Sequence, residues 1–494
     1  MIHLPGDALK NARVRPDDSS DGPQLASPGG RGAERRFVPR WRVGLVLIAA
    51  ATVLGGAWNI TRRVPLEQLA IARLSAPMDP TPQFTRYEIE FDLNREFDNP
   101  FDPDEIDVSI ELVTPDGQHL THPGFWEAPH QCVLDHGREV VRPAGDGRWK
   151  VRVSPTIAGK YRWTLKAVAR DSRASRTGEF VCIKGNRPGF VRVSPADHHC
   201  LEFSDGTYFY PIGHCTRSPV DDRWRASTPG SGPLAERYAA EGTFAYEKWF
   251  AKMRDSGENF CAIWMAPWWC GLEWTPTLRG YAGIGRYNQR NSAQLDRLLR
   301  MAEENGIYVL LYTMNHGMLS SVIDPEWHKN PYNKRYRGGM LEHASEFFES
   351  DQARRAHRNY LRYLVARWGH SPAIAIWGLT TEIDWLEAYQ GLRGVSEVVN
   401  AEGRAESVTI EARPELVAQW LTDSAEYLKA TDAHSHVVSA QVCYPKRGDD
   451  VWSSPDIELV LSNAYTSYLA DTSWQGEHSA GTRGVADALF IFSK

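Results

Sequence analysis

The sequence predicts a multidomain protein: an immunoglobulin-like β-sandwich followed by an incomplete α/β TIM barrel, with six of the eight βα units present. Short segments in which apolar and polar residues alternate fill residues 66–184, and this pattern predicts an antiparallel sandwich. Over residues 208–494, buried strands alternate with amphipathic helices, which predicts a parallel sheet. The loops that follow these strands are long and those that precede them are short, as is typical of a barrel.

The N-terminal region predicts a leader and a membrane segment. Residues 1–42 are rich in proline, glycine, aspartate and arginine, and we expect a disordered cytoplasmic leader. Residues 43–58 are uncharged and apolar, with more basic residues before them than after, which favours a signal anchor/transmembrane segment. The run is short for a spanning helix, which needs about 20 residues, so a cleaved signal is the alternative. We therefore expect a membrane-anchored protein with extracytoplasmic domains, or a secreted one.

The composition restricts the partners. The net charge is −6 without a basic excess, which argues against nucleic acid as a partner. The seven cysteines show no CxxC spacing, and neither a metal site nor a cofactor is predicted. Many of the 18 tryptophans fall in predicted loops, where flat side chains can stack against sugar rings or cover a core.

The sandwich is predicted from alternation and turn signals. Residues 87–93 and 108–113 alternate with period two, and the turn signal Thr-Pro-Asp-Gly at 114–117 ends the second segment. We place the β-sandwich domain at residues 66–184. Residues 187–207 then read as a linking hairpin.

Six strands are predicted in the barrel domain, residues 208–494. They cover residues 208–215, 260–266, 307–315, 373–381, 437–444 and 459–465. Between them lie amphipathic helices; in one, Leu295, Leu298 and Leu299 share a face at helical spacing. No GxGxxG motif follows the first strand, which argues against a Rossmann sheet.

A complete barrel requires eight units. After the sixth strand, residues 484–492 read as the start of a sixth helix, where the sequence ends. A typical barrel has about 250 residues, so we expect about 60–90 residues to be absent and the chain to be C-terminally truncated.

Glu382 is the leading candidate for a catalytic residue. It closes the apolar run 373–382, so a buried strand delivers its carboxylate to the active face of a barrel. Beside Trp377 and Trp385 such a carboxylate would lose solvent, which raises its pKa towards that of a useful acid. The structural alternative is a strand-end glutamate that pairs with a loop arginine.

Other predicted strands also end in polar or flat side chains. Singly, such residues are more often structural, but together they would ring one face as a sugar-binding cleft requires. These candidate substrate-binding residues are His214, Trp268, Trp269, Asn315, His316, Thr381, Trp385, Asn463 and Tyr465.

Several stretches resemble a known group of enzymes. Residues 97–102, 147–149 and 158–161 resemble the uncharacterised β-sandwich domain that precedes many bacterial glycoside hydrolases. Residues 205–213, 268–269 and 377–384 resemble the cellulase-like (clan A) barrels of those enzymes.

The resemblance implies roles for individual residues. It implies that Glu382 is the general acid/base and that the nucleophile is a glutamate at the seventh strand, which has no matching position here. Asparagine usually precedes the acid/base, whereas this chain has Thr381. Tyr465 resembles the aromatic residue of the sixth strand that contacts the nucleophile.

The sequence therefore predicts a glycoside hydrolase that cleaves O-glycosidic bonds of a poly- or oligosaccharide by a two-glutamate retaining mechanism. We expect the nucleophile to be missing and the 494-residue chain itself to be inactive, because retaining turnover fails without a nucleophile. The alternative is a non-catalytic carbohydrate-binding or envelope-associated protein.

Overall fold

The structure is a computed structural model that describes residues 68–219, 232–399, 405–443, 451, 453–463 and 492–493. All of these residues belong to one compact unit, Leu66–Lys494. The predicted leader, residues 1–42, lies outside the described residues. The predicted domain boundaries stay predictions.

The predicted transmembrane signal anchor needs correction. Within the described ranges, no helix is both long enough and apolar enough to cross a membrane. The two longest helices there, Asp351–Trp368 and Pro414–Thr431, carry charged side chains along their length. The predicted segment itself, residues 43–58, lies outside the described part of the chain.

The N-terminal part of the described chain consists of short strands. They are β1 (Ile71–Ser75), β2 (Thr81–Pro82), β3 (Tyr87–Leu93), β4 (Ile106–Val113), β5 (His119–Pro123), β6 (Phe125–Glu127), β7 (His130–Asp135), β8 (Arg138–Pro143), β9 (Arg148–Val153), β10 (Gly159–Ala169) and β11 (Arg173–Ile183). One sheet has the order β1-β3-β9-β6 and a second the order β2-β11-β10-β4-β5, while β7 and β8 form a separate hairpin.

The two larger sheets pack face to face around one apolar core. Alternate residues of β3 point inward, and Ile89 is fully buried. Leu165 of β10 is fully buried from the other sheet, and Tyr87 stacks on Phe180 with ring centroids 4.0 Å apart. The period-two pattern thus produces a sandwich here, and its immunoglobulin-like character stays a prediction.

The remaining strands form a three-stranded sheet, a hairpin and a large sheet. They are β12 (Val191–Val193), β13 (Leu201–Phe203), β14 (Tyr208–Phe209), β15 (Gly213–Arg217), β16 (Phe260–Trp264), β17 (Tyr308–Tyr312), β18 (Ile374–Gly378), β19 (Leu392–Val399), β20 (Ala405–Ile410), β21 (Val437–Val442), β22 (Leu459–Ser462) and β23 (Phe492–Ser493). The helices are α1 (Gly232–Glu241), α2 (Thr243–Asp255), α3 (Gln289–Asn305), α4 (Asp351–Trp368), α5 (Glu387–Gln390) and α6 (Pro414–Thr431).

The large sheet is parallel through six strands in chain order. Its order is β15-β16-β17-β18-β21-β22-β23, and only the last pair in the described residues, β22 and β23, is antiparallel. The sheet does not close within the described residues. The six parallel strands are present, and their membership of a barrel of eight units stays a prediction.

The first predicted barrel strand, residues 208–215, is divided in the structure. Its first part, β14, pairs with β13 in the three-stranded sheet, and the large sheet begins only with β15. Pro211 lies between the two parts and has no backbone N–H to donate, which explains the interruption. The strand therefore ends at Arg217 and not at Cys215.

Both faces of the large sheet are covered. On one face, Trp264, Leu310 and Tyr312 belong to a core that also includes Phe203 and Phe209 of the three-stranded sheet. The opposite face packs against the apolar sides of α2, α3, α4 and α6. Because both faces are buried, these strands read as continuous apolar runs in the sequence.

Local signals fix the ends of α3. The Asn288 side chain accepts the backbone N–H groups of Arg290 and Asn291, and so caps the helix. At its end Gly306 adopts a left-handed backbone with φ 65°, which glycine tolerates without steric cost. These two signals set the first and last residues of α3, which lies between the sandwich and the large sheet.

A buried ion network joins the sandwich to the helices of the large sheet. Arg367 of α4 is fully buried, and its Nη2 lies 2.6 Å from Asp296 Oδ2 and 3.2 Å from Glu127 Oε1. Arg152 of β9 also reaches Asp296, with Nη1 2.9 Å from Oδ1. Burial alone would lower the pKa of Arg367, but these carboxylates outweigh it and raise the pKa. The guanidinium groups therefore remain charged inside the interface.

Candidate active site

The residues that follow the parallel strands meet at one edge of the large sheet. Ser218 follows β15, Trp268 follows β16, His316 follows β17, Glu382 follows β18 and Asn463 follows β22. In a parallel sheet all carboxyl ends lie on the same edge, and ligands bind there in barrels and open sheets alike.

Glu382 occupies a constrained position beyond β18. The residue is only 6% exposed, and its backbone has φ 37°, a left-handed conformation that is uncommon for residues other than glycine. Its carbonyl oxygen accepts the backbone N–H of Trp385 at 3.0 Å, which closes the short 3₁₀ turn Ile383–Trp385. The turn fixes the direction in which the side chain leaves the backbone.

Two side chains converge on the Glu382 carboxylate. Asn463 Nδ2 donates to Oε1 at 2.6 Å, and His316 Nδ1 lies 3.7 Å from Oε2. The Asn463 amide is oriented in turn, because Gln441 Nε2 donates to its Oδ1 at 2.7 Å. The two carboxylate oxygens of Glu382 therefore have different surroundings.

His316 lies between two acids. On its Nε2 side, Asp324 Oδ2 is 3.4 Å away, whereas Glu382 is on the Nδ1 side. Thr381 Oγ1 accepts the His316 backbone N–H at 3.0 Å and lies 3.0 Å from Nδ1. Thr381 thus positions the imidazole.

Three further predicted residues lie in the loops around this group. Trp268 is half-buried, and its Nε1 donates to Ser218 Oγ at 3.2 Å. Trp385 is half-buried next to Glu382. Asn315 is fully buried, with Nδ2 donating to Glu326 Oε2 at 3.0 Å, so it contributes to the loop behind His316.

Two predicted residues are not brought to this group. Trp269 is buried in the helix-side core, where it stacks on Tyr246 with ring centroids 5.9 Å apart, and so it presents no surface for a sugar. His214 lies near the start of β15, and its Nδ1 is 2.5 Å from Oε2 of Glu258, which precedes β16. Since β15 extends to Arg217, His214 is on the amino side of the sheet. Tyr465 lies outside the described residues.

The structure adds residues that the sequence pattern did not indicate. Asp324 and Gln441 contact His316 and Asn463, respectively. Arg217 ends β15, and its guanidinium lies over the Trp264 ring, 5.3 Å from the centroid. Because the sequence prediction ended the first strand at Cys215, it did not identify Arg217 as a residue at the end of a strand.

A second buried acid lies in a neighbouring loop. Burial raises the pKa of Glu273 to about 7, although the Gly285 N–H donates to its Oε1 at 2.6 Å and opposes the rise. Tyr332 Oη is 3.4 Å from the other oxygen. Glu273 follows β16 in the chain, and its partners are loop residues, which gives it a structural role.

No group of three or more His, Cys, Asp or Glu side chains within the described ranges has the arrangement of a metal site. Around Glu382, a carboxylate and an imidazole are held by amide and hydroxyl groups.

Comparison with known proteins gives one family match and several distant structural likenesses. Residues 80–168 match the family model described as "Domain of unknown function (DUF5060)". No curated protein matches the chain. The solved structures to which the chain is similar include those of glycoside hydrolases.

Three of these structures illustrate the range. A candidate glycoside hydrolase from Bacteroides vulgatus is 15% identical, with a TM-score of 0.48 and coverage of 81% of this chain and 63% of that chain. A Parabacteroides merdae β-glucuronidase is 10% identical (TM-score 0.33; 83% and 38% covered). A glycoside hydrolase family 5 mannosidase from Rhizomucor miehei is 14% identical (TM-score 0.36; 62% and 67% covered).

The chain thus spans less than two thirds of the length of the first two of these proteins. At such identities and TM-scores, the likenesses carry no argument about the activity. The site has to be judged on its own geometry.

Proposed function

We propose that this chain is a glycosidase-type enzyme in which Glu382 is the general acid/base for cleavage of an O-glycosidic bond. The observation that carries the proposal is the convergence of the Asn463 amide and the His316 imidazole on a buried carboxylate beyond a parallel strand.

The two carboxylate oxygens suit different steps. Oε1 accepts the Asn463 amide at 2.6 Å, so a proton on the carboxyl group belongs on Oε2. From Oε2 the proton would pass to the glycosidic oxygen as the bond to the leaving group breaks. His316 is near Oε2 and, held by Thr381 and Asp324, positions this oxygen.

Retaining cleavage requires a second carboxylate about 5 Å from the first. Asp384 is fully buried and accepts the Cys443 backbone N–H at 2.7 Å, so its role is to hold a loop. Asp324 is on the opposite side of the His316 ring from Glu382. We therefore assign the acid/base role to Glu382, and we assign the role of nucleophile to neither Asp384 nor Asp324.

The substrate class follows from the surroundings of Glu382. The half-buried indole rings of Trp268 and Trp385 offer flat apolar surfaces for sugar rings, and polar side chains beside them offer hydrogen-bond partners. We therefore propose a poly- or oligosaccharide as substrate. We also propose that the large sheet is part of a cellulase-like (β/α)₈ barrel and that the sandwich is immunoglobulin-like.

Thr381 favours a second candidate function, carbohydrate binding without turnover. Its hydroxyl is engaged with His316, so it is not available to a sugar in the way that the asparagine of the resembling enzymes would be. Such a protein would bind sugars through the same tryptophans and leave them intact.

The test is Glu382→Gln in the full chain, assayed on aryl glycosides with good and poor leaving groups. Loss of the acid should lower kcat/KM on poor leaving groups by about 10²–10⁴-fold and much less on activated ones. Glu258→Gln, at the amino side of the sheet, is the control and should leave kcat/KM unchanged.

Unchanged turnover of poor leaving groups by Glu382→Gln would exclude the acid/base role. If the unaltered chain binds oligosaccharides in calorimetry but hydrolyses none, the binding function is correct instead.

A further inference from the structure

A cavity of about 340 Å³ lies between the sandwich and α3, on the outer side of the large sheet. Its walls come from the strand β7, the residues Arg86 and Arg152 of the sandwich, and one face of α3. This volume falls within the usual range for small-ligand sites, which commonly lie at boundaries between structural units. None of the residues around Glu382 lines it.

The cavity is lined mainly by positive charge. Four arginines reach it, Arg86 and Arg152 from the sandwich and Arg297 and Arg300 from α3, against a single lining carboxylate, that of Asp296. His130 is the only other lining side chain that can become charged positively. The lining residues thus include four arginines and one aspartate.

Two of these arginines are already neutralised by partners. Arg152 donates to Glu88 and to Asp296, and it is almost fully buried. Arg297 pairs with Glu247, and its guanidinium lies over the Phe244 ring. Arg152 and Arg297 therefore place their charged groups at fixed positions in the lining of the cavity.

The other two arginines are available to a ligand. Arg86 is exposed, and within the described residues its guanidinium takes part in no hydrogen bond or ion pair. Arg300 is 66% exposed and is 3.9 Å from Glu304, a contact that stabilises little in water. They approach the cavity from two different elements, the sandwich and α3.

We propose that this cavity is a binding site for a doubly charged tetrahedral oxyanion, a sulfate or phosphate group, either as the free ion or as an ester. Guanidinium groups match such oxygens with paired, charge-assisted hydrogen bonds. Arginines that approach from different elements suit a group with oxygens in several directions better than a planar carboxylate. Of the nearby acids, Glu88 and Asp296 pair with Arg152, and the charge of Arg86 also acts on Glu88.

The experiment is isothermal titration calorimetry of the full chain at low ionic strength with four probes: inorganic sulfate, inorganic phosphate, glucose 6-phosphate and glucose. We expect saturable binding of charged probes and none of glucose. Arg86→Ala and Arg300→Ala should each weaken binding by roughly tenfold, since each removes one charge-assisted contact. The double variant should abolish detectable binding.

Arg254→Ala is the control, because Arg254 is exposed on α2 and pairs with Asp255 outside the cavity. Binding of both inorganic ions supports a free oxyanion as the ligand, and binding of glucose 6-phosphate alone supports an ester. Absence of binding by the unaltered chain overturns the proposal, as does equal weakening by Arg254→Ala. Thermal unfolding of each variant verifies that it is folded. Because no readout uses turnover, the result is independent of the role of Glu382.

Discussion

The sandwich interface and the candidate active site both bury charged side chains, but they pair them differently. At the interface Arg367 and Asp296 meet at 2.6 Å and Arg152 and Asp296 at 2.9 Å, so each charge has a close opposite partner. At the site Glu382 and His316 are equally buried, yet their nearest ion-pair atoms are 3.7 Å apart.

This difference separates a structural role from a chemical one. Charges that are paired at hydrogen-bond distance are fixed in one protonation state, because loss of either partner leaves a buried charge uncompensated. The Glu382 carboxylate instead accepts an amide hydrogen bond, and the imidazole lies beyond hydrogen-bond distance from it. The interface should therefore govern stability, and the site should govern turnover.

Arg367→Met should have the largest effect on stability. The change leaves Glu127 and Asp296 with fewer partners inside the interface, and breaking a buried pair costs about 3–5 kcal/mol. Urea unfolding measures this loss. Arg355→Met on the same helix is the control, because Arg355 is 75% exposed, and it should change the free energy of unfolding by less than about 0.5 kcal/mol. Equal effects of the two changes would show that the network does not hold the interface.

Acid should weaken the interface through Glu88. Burial alone would raise the pKa of Glu88, but Arg152, Lys150 and Arg86 outweigh it and lower the pKa from 4.5 to about 2. A carboxyl group with a lowered pKa in the folded state stabilises the fold above pH 4.5, and this stabilisation is lost as the pH falls towards 2.

We therefore expect about 3 kcal/mol of the free energy of unfolding to disappear over this pH range, and Glu88→Gln to remove most of that dependence. Urea unfolding at a series of pH values measures it. The control is Glu179→Gln, at an exposed pair with Lys160, which should leave the pH dependence intact. A Glu88→Gln profile parallel to that of the unaltered chain would contradict the assignment.

Asn463→Ala should have the smallest effect on stability and act on turnover instead. It removes the donor to Glu382 Oε1, and a hydrogen bond to a charged group contributes about 1.5–3 kcal/mol, so kcat/KM should fall roughly 10–100-fold. If Asn463→Ala lowered stability as much as Arg367→Met, the division between the two regions would fail.

The buried strands could be predicted from the sequence, because a continuous apolar run is a local feature of the chain. The predicted strands at residues 260–266, 307–315 and 373–381 overlap β16, β17 and β18, since strands covered on both faces are continuous apolar runs. The first strand was misplaced because the chain around Pro211 passes from one sheet to another, which depends on tertiary pairing. The hairpin of β19 and β20 lies inside a segment that reads as a long loop.

The candidate active site could be predicted only in part, because only some of its residues are marked by a local signal in the sequence. Glu382, Thr381, His316 and Asn463 immediately follow apolar runs, so their shared edge could be predicted. The burial of Trp269 in the core could not be predicted, because Trp268 and Trp269 are adjacent and look alike in the sequence. In the structure, Trp268 is half-buried and Trp269 is buried. Asp324 was inaccessible too, since its approach to His316 depends on the path of an irregular loop.

The left-handed backbone of Glu382, with φ 37°, has a consequence for protein engineering. A residue with a Cβ has a steric cost of about 1–3 kcal/mol in such a conformation, and glycine does not. Replacement of Glu382 by glycine would therefore relieve the backbone and at the same time remove the carboxylate. At this position, a more stable fold and the presence of an acid exclude each other.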